Sequence, residues 1–474
     1  MTRLINAGDA KAWKLCKRRV WYDHYPPAEM EPDQDRFETL IQQAGEEHES
    51  KVLRLLSERG EPVEARSAEH TRELIARHTP VIYQPIACDQ ANQLIGKPDF
   101  LLLIGDQYQV ADAKLANSLS NRPDLIIQLG LYRWLFNTEL PALAYLGSGA
   151  IEQVGQEADR QCRLFLEDMQ RLLQNREPPE ALFAYSKCNA CPYRELCVPE
   201  FEEREDLSLL YGLDPRAVPG LIEQGITRIA DLAAANPEEL LDVPYLKGIE
   251  RKQRAVWQAK SCRSGQMRVV ERIELPQGTW IHFDVETNPL SDLGSEVYLW
   301  GMLPPPYASS AFEYVWSEGG EPEDYRGWSD FLQLVSVYRD RYPNLVLAHF
   351  ANFEVTQIKT YAQRYDMLDD ERVQWLLGAD TPLFDLREVV RKSLVLPLQS
   401  YGLKAICKAP QLVNFQWELE ESGSQWSVVR YIDYLNEANE QKQIAIKAEI
   451  LSYNRDDVKA TRALEEWLRA LPKY

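Results

Sequence analysis

Two acids and a lysine stand close together in Gly96-Lys97-Pro98-Asp99 and Asp112-Ala113-Lys114. In a strand, side chains alternate faces, so Asp112 and Lys114 point the same way, one pleat apart. Asp99 lies in a turn ahead of an apolar run and can bring a second carboxylate to the same cation. Mg²⁺ takes oxygen ligands and keeps several waters, so two carboxylates and a backbone carbonyl suit it. Such a site acidifies a water at a phosphodiester, and Lys114 would steady the attacking hydroxide. Gln128 and Tyr132, four apart on an expected helix, share a face and can position the phosphate. His48, on an amphipathic helix, offers a further ligand, with Glu47 beside it as a rival.

A second set of acids lies downstream. Ile281-His282-Phe283-Asp284-Val285-Glu286 alternates as a strand, so Asp284 and Glu286 share a face. Glu354 follows a strand that starts at Leu345, and Tyr453 and Asp457 align four apart on a helix. Asp284, Glu286, Glu354 and Asp457 would make four carboxylates around two cations, a clamp for in-line phosphoryl displacement. Tyr453 is placed to orient the attacking water. Asp385 and Asp456 are alternative acids.

The third constellation is sulfur. Cys188, Cys191 and Cys197 form a C-x2-C-x5-C cluster among polar residues, with Cys16 far upstream as a fourth ligand. Thiolates at this spacing can reach one centre and tie the two ends of a domain together. The spacing admits structural Zn²⁺ or an iron–sulfur cluster. Cys88, Cys162, Cys262 and Cys407 are expected to be ordinary buried thiols.

These residues need a scaffold, and 474 positions provide for two to four domains. Hydrophobic content of 45% and charged content of 27% are those of a chain that buries real cores. Met1 to Asn6 lack the basic-then-apolar pattern of a secretion signal. The longest apolar runs, such as 100–104, are too short to span a bilayer. A cytoplasmic protein without membrane partners is expected. There, a cysteine cluster is more often a metal site than a disulfide framework. The formal charge of −20 argues against simple electrostatic binding of nucleic acid, so basic groups would have to be concentrated along one groove. No Gly-rich dinucleotide or Walker-type loop occurs, so any helicase power would come from a separate partner.

Periodicity predicts helices over 37–59, 124–136 and 157–176, with strands over 81–86, 100–104, 107–114 and 151–156. The stretch 202–262 reads as short helices broken by Gly and Pro. Within it, 221–226 and 227–232 form helix, Gly turn and helix, and 243–249 leads into a basic helix with Arg251, Lys252 and Arg254. Strands follow over 280–285, 297–303 and 345–349, and helices dominate from 352 onward. The mixture is α/β and multidomain.

In order along the chain, His48, Gly96 to Asp99, Asp112 to Lys114 and Gln128 to Tyr132 resemble the RecB-type branch of the PD-(D/E)XK nucleases. In that family the histidine, two acids and lysine are catalytic, and the Gln and Tyr stand beside the site. The resemblance implies a restriction-endonuclease-like mixed sheet and Mg²⁺- or Mn²⁺-dependent cleavage of DNA. The added C-x2-C-x5-C resembles RecB-type nucleases with an iron–sulfur clasp, including those of CRISPR adaptation and of bacterial recombination helicase–nucleases. It implies a [4Fe–4S] cluster on Cys16, Cys188, Cys191 and Cys197. The middle segment resembles tandem helix-hairpin-helix units, which bind the DNA backbone; a plain helical spacer is the alternative.

Asp284, Glu286, Glu354 and Asp457 resemble the DEDD exonucleases of the RNase H-like fold, and most of all a YprB-like group. Glu354 stands where many of these carry Asp. Ser400 to Lys404 resemble a substrate-side segment of the group, which sets Lys404 near a phosphate. The resemblance implies 3′→5′ removal of nucleotides. The expected organisation is a RecB-like domain over 1–200, a helix-hairpin-helix segment over 201–262, a linker over 263–277 and an RNase H-like domain over 278–474. The expected activity is metal-dependent hydrolysis of single-stranded or end-bearing DNA in repair, recombination or mobile-element defence. A nucleic-acid-binding scaffold with degenerate domains and an RNA-processing 3′→5′ exonuclease are the alternatives.

Overall fold

The computed structural model describes residues 4–27, 36–419 and 423–472; Met1 to Arg3, part of the segment read for a secretion signal, lie outside them. The chain divides into two units, Met1–Leu182 with Asn189–Glu195, and Phe183–Cys188 with Leu196–Tyr474.

In the first unit, helix α1 (Arg36–Leu56) lies against a six-stranded sheet. The strands β1 (Val63–Glu64), β2 (Val81–Tyr83), β3 (Phe100–Ile104), β4 (Gln107–Lys114), β5 (Ala142–Leu146) and β6 (Ile151–Val154) stand side by side in chain order. The pairs β1–β2 and β4–β5 are parallel and the others antiparallel. A parallel pair needs a crossover, which helix α2 (Pro123–Leu135) supplies between β4 and β5, with proline in its first turn. Helix α3 (Asp159–Gln174) follows β6. Val52 and Leu56 of α1 pack on Val81, Phe100, Leu102 and Ala111, so the helix that carries His48 is fixed to the strands that carry the acids. The expected strand over 81–86 stops at Tyr83 because Gln84 takes a left-handed φ of +49°.

A small sheet joins Ile5–Asn6, Leu94–Gly96 and Ala87–Asp89. Cys88 is exposed on its outer strand, which corrects the expectation of a buried thiol: that strand pairs on one side only. Cys162 and Cys407 are buried as expected, and Cys262 is half-buried beside Gln258.

The second unit begins with short helices, among them Val218–Ile222 and Ile229–Ala234, around a turn at Gly225 with φ +82°. Gly248, also at φ +82°, caps helix α4 (Ile249–Ser264). A five-stranded sheet follows, built from β7 (Thr279–Ser291), β8 (Gly294–Leu303), β9 (Glu313–Trp316), β10 (Leu345–His349) and β11 (Leu383–Asp385). Its order is β9-β8-β7-β10-β11, antiparallel up to β7 and parallel beyond.

Two layers cover this sheet. On one face Ile281, Phe283 and Val285 of β7 meet helices α5 (Glu321–Arg341) and α6 (Phe353–Arg364) through Phe331, Val335, Ile358 and Tyr361. Helices α7 (Leu386–Ser393), α8 (Leu403–Lys408), α9 (Ser424–Asn436) and α10 (Glu440–Ala470) complete the unit. On the other face Trp280, Val346 and Ala348 pack with Leu386 of α7, Ile406 of α8 and Leu464 of α10. The alternation of β7 therefore turns Asp284 and Glu286 toward the face where α10 lies. Among the described residues no helix is long and apolar enough to cross a membrane.

Candidate active sites

In the first unit the turn before β3 and the end of β4 interlock through their acids. The Asp99 N–H donates to Asp112 Oδ1 at 2.9 Å, and the Ala113 N–H donates to Asp99 Oδ2 at 2.7 Å. Lys114 Nζ lies 2.5 Å from Asp112 Oδ2. Burial, and then the neighbouring Asp112, push the Asp99 carboxyl up to about 9. Burial works against the Lys114 charge, but Asp112 and Asp99 outweigh it and hold the ammonium above its usual range. The pair of acids is thus short of positive charge.

Helix α2 closes the site from the side. Gln128 Nε2 donates to Tyr132 Oη at 3.0 Å. Burial, with Asp112 and Asp99 among the further causes, holds the Tyr132 hydroxyl well above its usual range. This approach depends on Gly96, where a Cβ would lie 2.5 Å from Leu135 and 2.8 Å from the Tyr132 ring.

His48 sits differently from its neighbours in sequence. Its Nε2 lies 2.9 Å from the Tyr145 carbonyl oxygen, so that nitrogen is engaged with β5. Glu47 is exposed on the outer face of α1. The helix residue whose charge reaches the acids and the lysine is Glu49, which sequence reasoning missed. Glu49 accepts from Gln84 Nε2 at 3.0 Å and hydrogen-bonds Tyr83. The signal available in sequence was only its adjacency to His48, one step around the helix.

In the second unit the carboxylates converge more tightly. Among the described residues, Asp284, Glu286 and Asp457 are the one set of three His, Cys, Asp or Glu side chains whose ligand atoms all lie within 4.8 Å of one another. Burial and then Glu286, Asp457 and Glu354 hold the Asp284 carboxyl well above its usual range. Burial and then Asp457 push Glu286 up to about 8, although Ser427 and Asn454 hydrogen-bond it. Asp457 is also raised, chiefly by burial, while Trp417 Nε1 donates to its Oδ1 at 2.7 Å. Three acids crowded together and driven toward protonation are a hard-oxygen donor set that a divalent cation would relieve.

Glu354 reaches Asp284 within hydrogen-bonding distance but does not join the three-way set. The loop that delivers it is held in a costly backbone state. Ala351 has φ +78°; its N–H donates to Asp385 Oδ1 at 2.9 Å, and its carbonyl oxygen lies 2.6 Å from His349 Nδ1. A non-glycine residue persists in that region only when its surroundings over-determine it. Asp385, an alternative acid from the sequence, is occupied here. Asp456, the other alternative, accepts the Glu418 N–H at 2.7 Å.

Tyr453 hydrogen-bonds Asp457, and Lys404 Nζ lies 3.4 Å from its hydroxyl. Sequence reasoning missed Asn454, whose Nδ2 donates to Asp284 Oδ2 at 2.8 Å. Its side chain occupies the space over Gly301, the β8 partner of Asp284, where a Cβ would lie 1.7 Å from Asn454 Oδ1.

Comparison with known families follows this geometry. Residues 18–198 match the PD-(D/E)XK nuclease superfamily, and residues 281–469 match the RNase_H superfamily. The chain carries two nuclease-superfamily domains. The interlocked Asp99, Asp112 and Lys114 lie in the PD-(D/E)XK domain, and Asp284, Glu286 and Asp457 lie in the RNase H domain. No protein of curated function matches the chain significantly. Both domains point to nucleic acid as the substrate.

Of the four cysteines that the spacing joined, Cys16 separates two helices, Cys188 ends the helix Tyr185–Cys188, and Cys197 lies within Arg194–Glu203. All four, with Cys191, are half-buried.

Proposed function

We propose that the chain is a metal-dependent nuclease with two working sites, acting as an exonuclease on single-stranded or end-bearing DNA. The observation that carries this reading is the mutual approach of Asp284, Glu286 and Asp457 within 4.8 Å. Mg²⁺ or Mn²⁺ would be held by these three with Glu354 in the second site. In the first, Asp99 and Asp112 would hold it, with His48 as the sequence reading has it. A divalent cation supplies Lewis acidity at the scissile phosphate. Tyr453, bonded to Asp457, orients the attacking water, and Lys404 sits where a phosphate would meet a positive charge. In the first site Lys114 balances Asp112 until a phosphate arrives, while Gln128 and Tyr132 fix its position.

Removal of nucleotides from the 3′ end is the polarity proposed for the second site, on its likeness to DEDD exonucleases of the YprB-like kind. The segment 201–262 would grip the DNA backbone as helix-hairpin-helix units. Cys16, Cys188, Cys191 and Cys197 carry soft donors and are neither sealed in a core nor fully exposed. This suits a [4Fe–4S] clasp, with structural Zn²⁺ as the alternative metal. The setting proposed is cytoplasmic repair, recombination or mobile-element defence, with a separate helicase supplying unwinding.

The test is degradation of end-labelled single-stranded DNA with Mn²⁺ by the parent, Lys114→Ala and Asp284→Ala. Each variant should lose a different part of the product pattern. If neither substitution alters the products, the assignment of both sites is wrong. Labelled RNA run in parallel separates the DNA reading from RNA processing.

A further inference from the structure

The second unit holds a cavity of about 760 Å³ bounded by the helical segment, the 263–277 connection and helix α7. Pockets of this size enclose ligands as large as a nucleotide. Its wall carries five basic side chains against three acidic ones, a reversal of the charge of −20 borne by the whole chain. Arg254 builds the wall: its guanidinium donates to the carbonyl oxygens of Lys392 at 3.2 Å and Leu394 at 2.7 Å. Arg251, one turn earlier on α4, and Arg272 are exposed, and among the described residues neither makes an ion pair.

Three aromatic rings line the same cavity, and each is braced from outside it. Tyr211 stacks on Tyr401 with centroids 3.7 Å apart. Arg216 covers the Tyr245 ring at 3.5 Å. Phe384 and Trp280 meet edge-to-face with centroids 5.4 Å apart. Braced aromatic platforms beside exposed cations are what single strands need, because every base has a π-face and every linkage a charge. The wall also reaches the second site: Asp385 lines the cavity and holds Ala351, which precedes Glu354.

We propose that this cavity receives the bases and phosphates of a single nucleic-acid strand on its way to the carboxylates of the RNase H domain. The proposal rests on the nuclease reading of that site. It assigns stacking to Tyr211, Tyr245 and Phe384 and phosphate pairing to Arg251 and Arg272.

The test uses the full chain carrying Asp284→Ala in buffer with EDTA, so that neither site can cleave, and anisotropy of a labelled oligodeoxythymidylate across a salt series. Arg251→Glu with Arg272→Glu should raise Kd about tenfold. Two lost phosphate contacts should flatten the slope of log K against log salt by about 1.4. Arg251→Gln with Arg272→Gln, which keeps the shape of the wall, should show the same flattening. Arg341→Glu with Lys359→Glu makes the same change of charge on α5 and α6, which cover the other face of the sheet, and should alter Kd less than about threefold. Equal losses in the cavity and control variants, or an unchanged slope, overturn the proposal. So does displacement of the strand by free thymidine monophosphate at equal concentration, which would mark a mononucleotide site. Cleavage by the Asp284 parent is scored separately: a parent that binds strands but never cuts removes the nuclease reading, whereas a cutting parent with indifferent cavity variants removes this proposal alone.

Discussion

Gly301→Ala tests how the second site is assembled. The new Cβ would lie 1.7 Å from Asn454 Oδ1, 2.9 Å from its Cγ and 3.0 Å from the Phe312 ring. Ordinary carbon contacts begin near about 3.5 Å, so Asn454, which is fully buried, must leave its place. Overpacking of this kind costs about 1–3 kcal/mol. Losing the hydrogen bond from Asn454 to the Asp284 carboxylate adds about 1.5–3 kcal/mol. Together these correspond to a fall in Tm of roughly 10 °C for a domain of this size. Asn454→Ala alone should show only the hydrogen-bond loss. In the double variant the alanine at 301 enters space that Asn454 has vacated, so it should be about as stable as Asn454→Ala. The cycle should therefore give a coupling of about −2 kcal/mol or stronger, measured by urea unfolding followed through tryptophan fluorescence. Additivity within about 0.5 kcal/mol would refute the argument that Asn454 fills the space over Gly301.

The raised acids make stability depend on pH in a definite direction. Glu286 rises from an unfolded value of 4.5 to about 8, so the folded chain binds the extra proton between these values. Metal-free stability should accordingly fall as pH climbs from about 5 to 8 and flatten above. Added Mn²⁺ should raise Tm more at pH 8 than at pH 6, and calorimetric scans at both pH values check this. Lys114→Met leaves Asp112, which is 1% exposed, with an unpaired charge; the first unit should lose about 3–5 kcal/mol. Adding Asp112→Asn should restore most of that stability without restoring cleavage, which unfolding and activity assays on the same preparations would show. Protein purified without oxygen should be brown and hold about four irons per chain. Cys191→Ser should abolish both; a colourless protein holding one zinc would decide for the alternative metal.

Much of both sites was legible because the relevant spacings are geometric. Asp112 with Lys114, and Asp284 with Glu286, follow from strand alternation, and Tyr453 with Asp457 from the helical repeat. The strands over 100–104, 107–114 and 345–349 were bounded correctly because turns or polar residues flank apolar runs. Ala142–Leu146 went unread because all five residues are buried, so no alternation marks them. Leu383–Asp385 was too short to register. The role of Asn454 depends on a glycine in another strand, a relation no local pattern contains. Glu49 was overlooked for His48 because adjacent helix positions differ by a rotation that only packing fixes. The approach of Asp284, Glu286 and Asp457 to one another was legible, but the loop that presents Glu354 was not, since Ala351 carries no sign of its backbone state.

The pairing of Asn454 with Asp284 spans 170 residues. A chain leaves the ribosome from its N-terminal end and folds as it emerges. The residues of β7 and β8 are therefore made long before the helix that completes the carboxylate set. During that interval Asp284 and Glu286 have neither Asp457 beside them nor the donors of α10, and the nascent protein cannot assemble its second site. The second site is therefore complete only once α10 docks, well after the acids and lysine of the first unit have all been made.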